Sequence, residues 1–148
     1  MDLDSGSVVA VEVIASPPPR GHGTHAEVSA QEESATVEWL LSLLREAALT
    51  ESLLPLVLPL PARVLAWEGF ASLAETRLRR EGRRPRDVTF MLGPELAELS
   101  APMVVAGVSR LRSAGFRCGF GTAMVRPDLV VKAAPFLMRI DEEVVSGI

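Results

Sequence analysis

Apolar positions along this chain keep two periods that alternate. Short β-branched or leucine-rich runs of four to eight residues predict strands at 8–15 (VVAVEVIA), 54–58, 88–92, 116–120 and 136–140. Between them, apolar residues recur at i, i+3, i+4 and i+7. Val37, Leu40, Leu41, Leu44, Ala47 and Ala48 predict a helix over 31–49, capped by Ser29 or Ser34. Phe70, Leu73, Ala74 and Leu78 predict a second over 66–81, stopped by Gly82. A third starts near Glu95, continues past Pro102 and closes at Ala114 and Gly115, and residues 127–134 read as a short helix or crossover. Strand and helix in regular alternation predict an α/β fold: a mostly parallel sheet of about five strands with right-handed crossovers.

Prolines and glycines punctuate this pattern. SPPPRGHGTHAEVS opens a Pro/Gly-rich stretch, 16–30, expected to be a flexible loop, because three consecutive prolines exclude helix and central strand. Pro59 and Pro61 end the second strand, which is therefore expected at a sheet edge or running out early into a loop.

Length and charge narrow the class. A chain of 148 residues suits one domain, 1–148. The longest apolar run, Leu53–Leu60, has eight residues and two prolines, so no membrane span is expected. MDLDSGSVV is acidic and lacks a signal peptide's apolar centre, which makes the cytoplasm the expected compartment. A net charge of −4 argues against nucleic acid as a partner. Mean hydropathy of +0.26 is high for a soluble chain and suggests a surface that needs covering.

Candidate chemistry is sparse. Glu12 is a carboxylate inside a β-branched run, which pairs, binds a metal, or faces solvent from an edge strand. His22 and His25 lie three apart in the loop, without a third ligand, so neither metal nor other cofactor is expected. Arg77, Arg79, Arg80, Arg83, Arg84 and Arg86 place six arginines in ten residues, either a patch for phosphate or an acidic partner, or a solvated helix end that suits the macrodipole. Cys118, the single cysteine, reads as a small buried hydrophobe.

Four tracts together resemble the EAL-domain family, bacterial cyclic-di-GMP phosphodiesterases built on a (β/α)8 barrel. DSGSVVAVEVIAS is similar to the family's tGrvvGvEALlRW tract, RPRDVTFML to its LvLEiTE strand, VSRLRSAGFRCGFGTA to its ialDDFGtG segment and FLMRID to dyiKID. The resemblance implies a partial barrel, since the family's YQP strand is absent or reduced to Met1–Asp4 and its later strands would follow Ile148. It also implies ligand-binding positions at Glu12, Gly121, Thr122, Arg139 and Asp141. Its metal and phosphate positions are otherwise replaced: the motif arginine falls on Ser16, an asparagine near Pro59, the strand glutamate on Met91, the paired aspartates on Cys118 and Gly119, and the catalytic lysine on Arg139. Methionine, cysteine and glycine offer no hard oxygen ligand for Mg²⁺ or Mn²⁺. The expectation is a degenerate, inactive signalling domain that acts through protein contacts, as a homodimer or with another protein. The alternative is a sensor that binds cyclic di-GMP without cleaving it.

Overall fold

A computed structural model places residues 10–15, 25–48, 55–121 and 127–139, with backbone alone at 25–30, 47–48, 94–95 and 137–139. Five strands, β1 Val11–Glu12, β2 Leu56–Leu60, β3 Val88–Leu92, β4 Arg117–Gly121 and β5 Leu137–Arg139, form one parallel sheet in chain order β1-β2-β3-β4-β5. Helices α1 His25–Ala48, α2 Phe70–Arg80, α3 Ala101–Ser113 and α4 Pro127–Ala133 make the connections. Sequential order with every neighbour parallel winds the chain one way, as in an arc of a (β/α) barrel.

Strand register divides the side chains between two faces. Leu56 aligns with Val88, Leu58 with Phe90 and Leu60 with Leu92, while Phe90 aligns with Cys118. All these residues, with Phe120, join one buried cluster with Val37, Leu40, Leu41 and Leu44 of α1, Phe70, Ala74 and Leu78 of α2, Val104, Val108 and Leu111 of α3, and Leu129 of α4. This is the helix-facing side. The alternate residues, Val57, Pro59, Thr89, Met91 and Gly119, point to the concave side and lie outside that cluster.

Both helix-to-strand turns flanking α2 and α3 use glycine as a left-handed stop. At Gly82, φ +76°, the Arg83 amide donates to the Leu78 carbonyl at 3.1 Å and Gly82 to Arg79 at 3.1 Å. At Gly115, φ +98°, Phe116 donates to Leu111 at 3.0 Å and Gly115 to Arg112 at 2.9 Å. This doubly bonded cap releases the chain directly toward β3 and β4.

Several expectations are corrected. The strand predicted over 8–15 is a two-residue edge strand, with Ile14 93% exposed, since only β2 pairs with it among the described residues. α1 begins at His25, inside the stretch expected to be loop. The helix predicted from 66 starts as a 3-10 turn, Ala62–Ala66, before α2, and the one predicted from Glu95 is a 3-10 turn, Pro94–Glu98, separated from α3 by the Ser100 cap.

β2 is interior, between β1 and β3, although proline-bracketed. Backbone parity explains it. Val57 accepts from Val13 at 2.9 Å and Pro55 from Val11 at 3.0 Å, so residues 55, 57 and 59 turn their peptide groups to β1. Leu60 turns the other way and accepts from Gly93 at 2.9 Å. The nitrogen of Pro59 thus faces the side where β1 has already ended, and the β3 ladder loses no donor.

Candidate functional site

In parallel α/β sheets, chemistry gathers at strand C-terminal ends, on side chains that one face brings together. Three rows of the concave face can be followed through the register. The first runs Glu12, Val57, Thr89, Arg117; the second Pro59, Met91, Gly119, Leu137; the third Gly121, Arg139. Pro59, Met91, Gly119 and Arg139 therefore share a face. The second row contains no oxygen or nitrogen in any side chain, and Met91 is 6% exposed.

The predicted ligand positions are only partly assembled. Gly121 registers with Arg139 at the end of β4 and β5. Glu12 is exposed on β1, four strand spacings and two rows from Arg139, ~19 Å along the sheet by ~13 Å along the strands. Glu12 has an interaction of its own. Thr122, Asp141, Ser16 and His22 lie outside the described residues. No group of three residues that could hold a metal occurs among the described residues.

Cys118 and Gly119, neighbours on β4, are split between the faces. Cys118 points into the helix-facing core, 4% exposed. Burial pushes its thiol up to about 12, against a smaller opposite effect of Arg112.

The arginine cluster stands at the other end of the sheet, where α2 returns to the start of β3. It cannot share a ligand with Gly121 and Arg139. Arg77 faces Glu38 at 3.9 Å, Arg79 faces Glu75 at 3.0 Å and Arg84 faces Asp87 at 3.2 Å. The adjoining Arg45–Glu81 pair, at 2.7 Å, lowers the Glu81 carboxyl below its ordinary range through the Arg45 hydrogen bond.

Two polar contacts escaped the sequence. Arg63, just past β2, brings its Nε to 3.6 Å from Glu32 Oε2, and its Nε and one Nη are buried without a hydrogen bond. A cation inside the apolar PARVL run was the available signal. Arg117 lies over the Phe136 ring at 4.3 Å, a cation–π contact between residues 19 apart that no local pattern announces.

Comparison with solved structures places this arrangement. A Bacillus subtilis YkuI structure, a protein with an EAL domain in complex with substrate c-di-GMP and calcium, matches 85% of this chain at 16% identity and a TM-score of 0.59. A Vibrio cholerae LapD structure containing S helix, GGDEF and EAL regions matches 78% at 13% identity and a TM-score of 0.54. The EAL enzyme Bd1971, in a cAMP-bound form, matches 81% at 10% identity and a TM-score of 0.53. The fold is that of part of an EAL domain. This EAL-like chain spans 32%, 29% and 34% of those three chains. No family model matches its sequence, and no curated protein does. No helix among the described residues is long and apolar enough to cross a membrane.

Proposed function

We propose that this chain is an EAL-like signalling domain that does not hydrolyse cyclic di-GMP and works through contacts with protein, in a cyclic-di-GMP-related setting. One observation carries the reading: the concave row Pro59, Met91, Gly119, Leu137 holds only carbon and sulfur where the resemblance calls for carboxylates and an asparagine. Two-metal hydrolysis needs hard oxygen donors to hold the ions and lower the pKa of the attacking water. Among the described residues at the positions the resemblance marks, Glu12 is the one carboxylate, on the edge strand one row away, and supplies one ligand at most.

The test is incubation of the purified chain with cyclic di-GMP and 5–10 mM Mg²⁺ or Mn²⁺, a working range of about the usual assay strength, followed by separation of the products. Unchanged nucleotide is expected. Metal-dependent linear product overturns the reading. A second reading, a non-hydrolysing nucleotide sensor, draws on Arg139 standing opposite Gly121 at the strand ends. Isothermal titration of the same sample separates the two. Absence of heat is expected, and saturable binding lost in Arg139→Ala moves the function to the sensor.

A further inference from the structure

The arginine cluster carries more positive charge than its surroundings use. Its neighbouring acids are each taken by one arginine: Glu38 by Arg77 at 3.9 Å, Glu75 by Arg79 at 3.0 Å, Asp87 by Arg84 at 3.2 Å and Glu81 by Arg45 at 2.7 Å. The side chains of Arg80, Arg83 and Arg86 have no ion pair or hydrogen bond among the described residues. Arg80 and Arg86 are exposed and Arg83 is half-buried. Glu46, which follows Arg45 in α1, offsets one of the three at most.

A helix end does not account for them. Arginines in a last turn suit the macrodipole, and Arg77, Arg79 and Arg80 stand in that of α2. Arg83 and Arg86 lie outside the helix, beyond the left-handed Gly82. The last carbonyls of α2 are also met by backbone already: Arg77 and Leu78 accept from Glu81 at 3.2 and 3.0 Å, and Arg79 accepts from Gly82 at 3.1 Å.

The segment that bears these arginines is held in place. The cap fixes Arg83, whose amide donates to Leu78 at 3.1 Å. The Asp87 amide donates to the Arg84 carbonyl at 3.0 Å and closes a 3-10 turn over Pro85–Asp87. Pro85 is buried in that turn, close enough to Gly115 that a Cβ there would lie 3.2 Å from its own. Unpaired guanidiniums on a fixed backbone keep their donors free and lose less entropy on meeting an acceptor.

We propose that the surface around Arg80, Arg83 and Arg86 docks a carboxylate-rich segment of a partner protein. Charge complementarity names the occupant, and a guanidinium fork matches a carboxylate in bidentate geometry. A nucleic acid or an anionic membrane presents phosphate continuously, and here that phosphate would run over Glu81 and Asp87, which stand among the arginines in the chain. The net charge of −4 also repels a large polyanion at long range. A short acidic stretch can set its charges on the unpaired arginines alone. The inference rests on the protein-contact reading above and names the chemistry of the partner.

Fluorescence anisotropy of a labelled glutamate-rich peptide, titrated with the full chain, tests it. Saturable binding is expected that weakens at least tenfold between about 50 and 500 mM NaCl and is absent for the glutamine counterpart of the peptide. Arg83→Gln/Arg86→Gln removes two side chains without partners, so it is expected to fold and to bind at least tenfold more weakly. Lys132→Glu, at an exposed residue of α4, changes the net charge by the same amount and is expected to bind as the parent does. Equal weakening in Lys132→Glu would mean that the peptide reads net charge, and it overturns the patch. So does a folded Arg83→Gln/Arg86→Gln that binds undiminished, absence of binding at low salt, or tighter binding of single-stranded DNA or of phosphatidylglycerol vesicles than of the peptide. Any of these leaves protein contact through another face standing, whereas metal-dependent hydrolysis of cyclic di-GMP removes the functional reading whatever the peptide does.

Discussion

Cys118 carries a test of the helix-facing core at the scale of one atom. Its thiol is 4% exposed and burial holds it at about 12, against an ordinary value of 9.0. A thiol whose pKa is raised by folding keeps its proton longer in the native state, so native and unfolded chains differ in bound protons once pH passes 9.0. Stability is therefore unaffected by this group below that pH and falls as pH rises from about 9 toward 12. Ellman's reagent at pH 8, a value of about neutral assay practice, is expected to leave the native thiol untouched and to titrate one thiol after denaturant unfolds the chain. Rapid labelling of native protein would put Cys118 on the concave side with Gly119. The sequence had Cys118 as a buried small hydrophobe, because an apolar run flanks it. It could not separate Cys118 from Gly119, since only strand parity, fixed by the Phe90–Cys118 and Met91–Gly119 pairs, sends the two to opposite faces.

Elements hold together through close approaches that leave no room for a methyl group. Gly107 sits in the middle of α3, where alanine would make a better helix, yet a Cβ there would lie 2.6 Å from the Leu65 Cβ and 2.8 Å from the Leu65 carbonyl oxygen. Backbone on both sides makes that overlap hard to relieve. Gly107→Ala is expected to lower stability by about 1–3 kcal/mol despite its helix propensity, read as a shift in urea midpoint with unchanged slope. An unchanged or raised midpoint would mean that α3 does not ride on the 3-10 turn. The same packing explains which boundaries were legible. Glycine stops at Gly82 and Gly115 are local signals, and both occur where the pattern put them. The split of the predicted 66–81 helix into a 3-10 turn and α2 is not local: Leu65 must present its carbonyl to Arg110, 45 residues later. The interior place of β2 depended on which way the Pro59 nitrogen points, a matter of ladder parity that composition does not contain.

At the scale of the whole molecule, one sheet separates two chemistries. The helix-facing side is built from continuous apolar contact, and it is that side which the hydrophobic periods encoded. On the concave side the register aligns Pro59, Met91 and Gly119, whose side chains offer no oxygen or nitrogen donor. If function was lost by substitution on an intact frame, restoring two donors should restore metal affinity without touching the frame. Met91→Glu with Gly119→Asp places carboxylates on directly registered residues of β3 and β4, ~5 Å apart. Without metal, two like charges at a buried position cost about 2–4 kcal/mol. A divalent cation that binds only the folded state returns RT ln(1 + [M]/Kd), about 2.7 kcal/mol when the ion stands at a hundred times Kd. The double variant is thus expected to melt lower than the parent in chelator and to regain most of that loss in millimolar Mg²⁺ or Ca²⁺, about 2–4 °C per kcal/mol at this chain length, whereas the parent is indifferent to the ion. Equal response of parent and variant would mean that residues 91 and 119 do not face a common space, and the row on which the proposed loss of hydrolysis rests would fall with them.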